Sequence, residues 1–141
     1  MLLNISIQNK ISKQQIDRLV GTSFTLKERY NLGGIVSPKL YISTSSMAIN
    51  NLLILNKNDH SCTIEMRPKG IIIKFSSQFN TYALITSYNK MSIRKPSAID
   101  YSIYLESHFL KIKADSKTHD FITKLFRYKL SNLATRIEDV P

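Results

Sequence analysis

Three histidines, one cysteine and a surplus of cations are the side chains through which this 141-residue chain could do chemistry. His60 and Cys62 form a His-x-Cys pair, which offers a metal two ligands where a zinc site takes about four. His108 and His119 are scattered along the chain and supply no third ligand at a recognisable spacing. Cys62 alternates with Ile64 and Met66, so it is expected on the apolar face of a strand as a buried, inert thiol rather than a nucleophile. As the only cysteine it forms no intramolecular disulfide, which fits a reducing compartment. Gly33-Gly34 lacks the Gly and Lys spacing of a phosphate-binding loop, and the six aspartates and four glutamates make no recognisable acid pair. These residues point to a non-enzymatic chain with no cofactor and no metal site.

The cations carry the stronger signal. Twenty Lys and Arg against ten Asp and Glu give a formal charge of +10, which favours encounter with a polyanion or an acidic protein partner. Both halves of the chain share the excess, so it belongs to the folded body rather than to a tail. The densest stretch runs from Ser107 to Arg136. There Lys117, Lys124 and Arg127 share a helical face opposite Phe121 and Leu133, placed to meet an anionic surface together or to serve as a solvated face. A second cluster, Lys90, Arg94 and Lys95, falls at a strand edge, where cations also discourage strand-to-strand association. Tyr82, Tyr88, Tyr101 and Tyr104 lie among basic residues, the mixture that binds single-stranded nucleic acid. Strand alternation nevertheless places Tyr82 and Tyr101 on apolar faces, and neither an RNP-like motif nor a helix-turn-helix signature supports nucleic acid as the partner.

The elements that must position these residues are mostly short strands. Residues 1–47 read as an N-terminal extension packed on the same domain, with a short helix near 12–20 ended by Gly21 and a strand over Thr22–Leu26. From about residue 50, β-rich runs recur roughly every ten residues. Leu52–Asn56 reads as the first strand. Cys62, Ile64 and Met66 face the core from the second, and Ile71, Ile73 and Phe75 return to the same core after a turn at Pro68-Lys69-Gly70. The later strands carry Leu84, Met91 and Ile93, Tyr101 to Leu105, and Leu110 to Ala114, with Asn89-Lys90 as a tight turn and Pro96 as a break. Phe121, Ile122, Leu125, Phe126, Leu130 and Leu133 then recur at i, i+3/i+4 spacing, which predicts a C-terminal amphipathic helix capped at Asp115 or Ser116.

Seven short antiparallel strands followed directly by one amphipathic helix resemble the pleckstrin-homology-like barrel over about residues 50–135, within a barrel-plus-helix unit of 48–136. The final strand, Phe109 to Lys113, running into the helix of Phe121 and Leu125 carries the likeness, although the family's tryptophan in that helix is absent. The resemblance implies two sheets plugged at one end by the helix, and a module that binds phosphoinositides, peptides or other proteins. Phosphoinositide-binding members place a Lys after the first strand and a Lys/Arg-x-Arg on the second, and Lys57 and Arg67 stand at those positions. Glu65, two residues before Arg67, sets a carboxylate where that pattern wants a cation and would repel a phosphate.

The sequence thus predicts a mostly β domain that acts as a binding or interaction module for an anionic or protein partner. A nucleic-acid-associated basic protein is the first alternative, and a small enzyme whose residues do not group in sequence is the second. Abundant Asn, Lys and Ile fit a bacterial source. The opening Met1-Leu2-Leu3-Asn4-Ile5 has no signal-peptide pattern, and no apolar run approaches the ~20 residues of a transmembrane helix, so a cytoplasmic location is expected.

Overall fold

The computed structural model describes residues 1–6, 10–56 and 60–138, the side chains of residues 10, 11 and 132–138 excepted. The described residues are mostly antiparallel sheet, with four α-helices that include a long C-terminal one. Among the described residues eight strands form a single sheet, six of them within the 48–136 unit where seven are expected. They are β1 (Leu2–Asn4), β2 (Leu40–Ser45), β3 (Ser61–Met66), β4 (Gly70–Ser77), β5 (Asn80–Ser87), β6 (Met91–Ser97), β7 (Asp100–Leu105) and β8 (His108–Lys113), in the order β1-β5-β4-β3-β2-β8-β7-β6. The helices are α1 (Lys10–Val20), α2 (Leu26–Leu32), α3 (Met47–Leu53) and α4 (Ser116–Glu138).

The β3–β4 hairpin forms in the expected register, with Met66 opposite Ile71 and Ile64 opposite Ile73. Its inward residues are fully buried because strand alternation sends Ile64, Met66, Ile71 and Ile73 to one face. Ile72 between them points to the opposite face. There it joins Val20, Ala83 and Ile85 in a second apolar cluster, with Ile16 of α1 and Leu3 of β1 packed against it. The unbroken apolar run Ile71-Ile72-Ile73 is therefore explained by two buried faces.

Two expected strands do not form. Leu52–Asn56 belongs to the end of α3 and the turn after it, because Ile49 and Leu53, one helical turn apart, are the residues that reach the core, while Ile54 and Leu55 stay exposed. A four-residue apolar run has no period long enough to separate the two readings. Thr22–Leu26 is not a strand either. Thr25 is the N-cap of α2, its hydroxyl accepting from the Glu28 N–H while the Glu28 carboxylate accepts from the Thr25 N–H. Gly33, in the left-handed conformation at φ 73°, ends that helix.

The central strand is Leu40–Ser45, which the sequence reading leaves inside the N-terminal extension. Leu40 and Tyr41 pair with Cys62 and Ser61 of β3, and after a bulge Thr44 and Ser45 pair with Lys111 and Leu110 of β8. One strand thus joins a β1-β5-β4-β3 half to a β8-β7-β6 half, and bulges bend strands in this way. Pro96 does not end β6. As the last strand of the sheet β6 has a free edge, where a residue without an N–H is tolerated, and the register shifts between Arg94 and Ser97. Tyr88–Lys90 makes a single 3-10 turn before β6.

The inner faces of β2 to β8 contribute to one core, with Phe121, Ile122 and Leu125 of α4 packed into it. Asp115 caps α4 by accepting from the Thr118 N–H at 2.8 Å. The buried stripe of α4 is narrower than its apolar spacing predicts: Phe126 and Leu130 are 42% and 50% exposed. Leu133 lies outside the described side chains.

Candidate functional site

The cations singled out in the sequence part company in the structure. Arg67 is committed to internal bonds: its guanidinium reaches Glu65 Oε2 at 2.5 Å, Asp17 Oδ1 at 3.1 Å and the Gly21 carbonyl at 2.9 Å. It ties α1 to the β3–β4 hairpin. Lys57 lies outside the described residues. Lys90 pairs with Glu106 at 3.5 Å. Lys95 turns over the buried Tyr101 ring at 5.3 Å, whereas Arg94 stands 5.8 Å over the ring of Tyr104.

On α4, Lys124 donates to the carbonyl oxygens of Gly33 and Gly34 at 3.3 and 2.8 Å, closing the C-terminal end of α2, and burial lowers its pKa. Arg127 lines a cleft of about 600 Å³ between α2 and α4 with Asp120, Thr123 and Tyr128, and Lys117 is exposed in the first turn. Lys124 lines the same cleft as Arg127, and Lys117 is not among its lining residues.

The histidines are equally dispersed. His60 Nε2 contacts the Asn56 carbonyl at 3.1 Å, His108 Nδ1 lies 3.4 Å from Ser46 Oγ, and His119 meets the Tyr101 hydroxyl. Among the described residues, no three of His, Cys, Asp and Glu gather where they could hold a metal ion. Cys62 is buried, and desolvation pushes its thiol up to about 12.

The surface that does assemble is the outer face of β2, β8, β7 and β6. On the other half of the sheet the outer face is apolar and is met by α1. On this half the outward residues Tyr41, Ser43, Thr44, Arg94, Tyr104, Phe109 and Lys113 are all exposed. Cross-strand register orders them in rows. Lys111, Ser102 and Arg94 lie side by side across β8, β7 and β6, and Phe109, Tyr104 and Ser92 form the next row. The rings of Tyr104 and Phe109 are 6.3 Å apart and tilted by 34°. Beyond the basic row, Lys111 and Lys113 line a hollow of about 480 Å³ with Ser43, Thr44, Ile99 and Asp100. Lys39, just before β2, stands 5.8 Å over the ring of Tyr41.

Asp100 is the one carboxylate in these four strands, against Arg94, Lys111 and Lys113 on the outer face and Lys95 over the core-facing Tyr101. It lies opposite Lys113 and accepts from Ser97 Oγ at 3.3 Å. The face is therefore positive, and its rings lie beside its cations. Alternation within Phe109-Leu110-Lys111-Ile112-Lys113 places Phe109, Lys111 and Lys113 on one side from sequence alone. Tyr41 escapes that reading because β2 is not recognised, and the place of Arg94 beside Tyr104 depends on strand register.

The chain matches no protein-family model and no curated protein. No helix among the described residues is long and apolar enough to cross a membrane.

Proposed function

We propose that this chain is a non-enzymatic binding module for an anionic partner, which docks on the open face of β2, β8, β7 and β6. The observation that carries the reading is the segregation of charge on the sheet: three cations, Arg94, Lys111 and Lys113, and one carboxylate, Asp100, on this face, against Lys74 and Glu65, themselves paired at 3.6 Å, in β3, β4 and β5. The burial of Cys62 and the separation of the three histidines support a binding role over a catalytic one. The pleckstrin-homology-like barrel belongs to the same proposal. It is supported by the succession β2 to β8, by the sharing of β2 between two halves of the sheet, and by α4 following β8 directly. A cytoplasmic bacterial setting agrees with the lone buried thiol and the Lys- and Asn-rich composition.

Heparin binding measured across a salt series tests the reading. Affinity is expected to fall steeply with salt, as it does when cations release condensed counterions. Lys111→Glu combined with Lys113→Glu weakens binding by about tenfold or more at low salt, while Lys117→Glu on α4 leaves it unchanged. An affinity independent of salt, or one lost through Lys117→Glu and kept in the β8 variant, removes this face from the function.

A further inference from the structure

We propose that the anionic partner is a single-stranded nucleic acid whose bases stack on Tyr104 and Phe109 while its phosphates run along the row of Arg94 and Lys111. The inference rests on the docking face proposed above and adds the chemistry of the ligand.

Two features of the face select this ligand. Tyr104 and Phe109 are directly opposed across β7 and β8, and are 43% and 36% exposed. The rings lie in the row next to the cations, one strand repeat of two residues away, or about 7 Å. A polymer that alternates a charged backbone with flat apolar groups meets both rows together, and ring faces accept any base because every base has a π surface. The Arg94 guanidinium above Tyr104 is itself a plane on which a base can stack.

A duplex hides its base faces and leaves the rings without a partner. An anionic membrane asks for apolar groups projecting past the cations, whereas Tyr104 and Phe109 rise from the same pleated surface as Arg94 and Lys111. The hollow beside Lys111 and Lys113, with the hydroxyls of Ser43 and Thr44, continues the phosphate track away from the rings, and Asp100 marks the limit of its positive lining.

Fluorescence anisotropy of a labelled oligothymidylate on the full chain tests the proposal, with three further probes: an abasic oligomer of equal length, a duplex and phosphatidylserine vesicles. The oligothymidylate is expected to bind more tightly than any of the three. Tyr104→Ala with Phe109→Ala lowers its affinity by about thirtyfold or more and leaves abasic binding unchanged. Tyr104→Phe keeps the ring and keeps the affinity, and Phe109→Ala alone gives an intermediate loss. Circular dichroism melting of each variant separates loss of binding from loss of fold. Equal binding of the abasic oligomer, the duplex or the vesicles, or an undiminished affinity in the double variant, overturns base stacking while heparin binding keeps the polyanion reading. Absence of binding to oligothymidylate, abasic oligomer and heparin overturns both.

Discussion

A β-carbon on Gly70 would stand 2.1 Å from the carbonyl oxygen of Thr86, with Val20 Cγ1 at 2.7 Å and the Ser87 Cα at 2.8 Å. Gly70 opens β4 opposite Ser87, and its missing side chain lets β5 and the end of α1 close over it. Its role is close approach, since its φ is not positive.

Gly70→Ala is accordingly expected to destabilise the fold by about 2–3 kcal/mol, because the nearest obstacle is backbone and cannot rotate away. Urea denaturation measures the loss, and a variant as stable as the parent contradicts the closeness of β4 and β5 at this point.

Arg67→Ala removes the guanidinium from Asp17 and Glu65, which are only 29% and 16% exposed, and leaves Glu65 to Lys74 at 3.6 Å. A loss of about 2 kcal/mol is expected, less than for a fully buried pair because water reaches all three groups. Amide exchange in α1 speeds up, and heparin binding is retained. Loss of heparin binding in a folded Arg67→Ala protein would return Arg67 to the ligand site.

The capping box at Thr25 holds the Glu28 carboxyl below its usual value of 4.5, through bonds from the Thr25 N–H first and the Thr25 hydroxyl second. Since the folded-state pKa is the lower one, the stabilisation is complete above 4.5 and is lost as pH falls through the folded value. Asp115 behaves alike below its usual 3.8, held down by the Thr118 N–H. A carboxyl-carbon NMR titration finds both depressed, and Thr25→Ala raises the Glu28 value while leaving Asp115 in place.

Cys62, with its thiol at about 12 and its side chain in the core, is expected to resist a thiol reagent at pH 8 in the native protein and to react fully in denaturant. Native labelling at the rate of a free thiol would place Cys62 at the surface.

Much of this architecture is legible in the sequence wherever it depends on a local period. Cys62, Ile64 and Met66 alternate, Ile71, Ile73 and Phe75 answer them across the Pro68 turn, and Phe121, Ile122 and Leu125 repeat helically, because side-chain direction follows backbone geometry over a few residues. The strand at Leu40 goes unassigned and the end of α3 at Leu52 is read as a strand because short segments admit both periods, and their partners decide between them.

The net charge of +10 is likewise a property of the sequence alone, but which cations remain available is not. Arg67 is taken by Asp17, 50 residues away, and Lys124 by the carbonyls of Gly33 and Gly34, about 90 residues away. The outer face of β4 and β5 is buried because α1 lies on it, while that of β8, β7 and β6 leaves Arg94, Tyr104 and Phe109 exposed around a buried Ser102. Coverage of a sheet face and pairing of a charge are long-range events, set by where distant segments come to rest. For that reason the basic and aromatic surface of Arg94, Tyr104, Phe109 and Lys111 exists only in the folded chain.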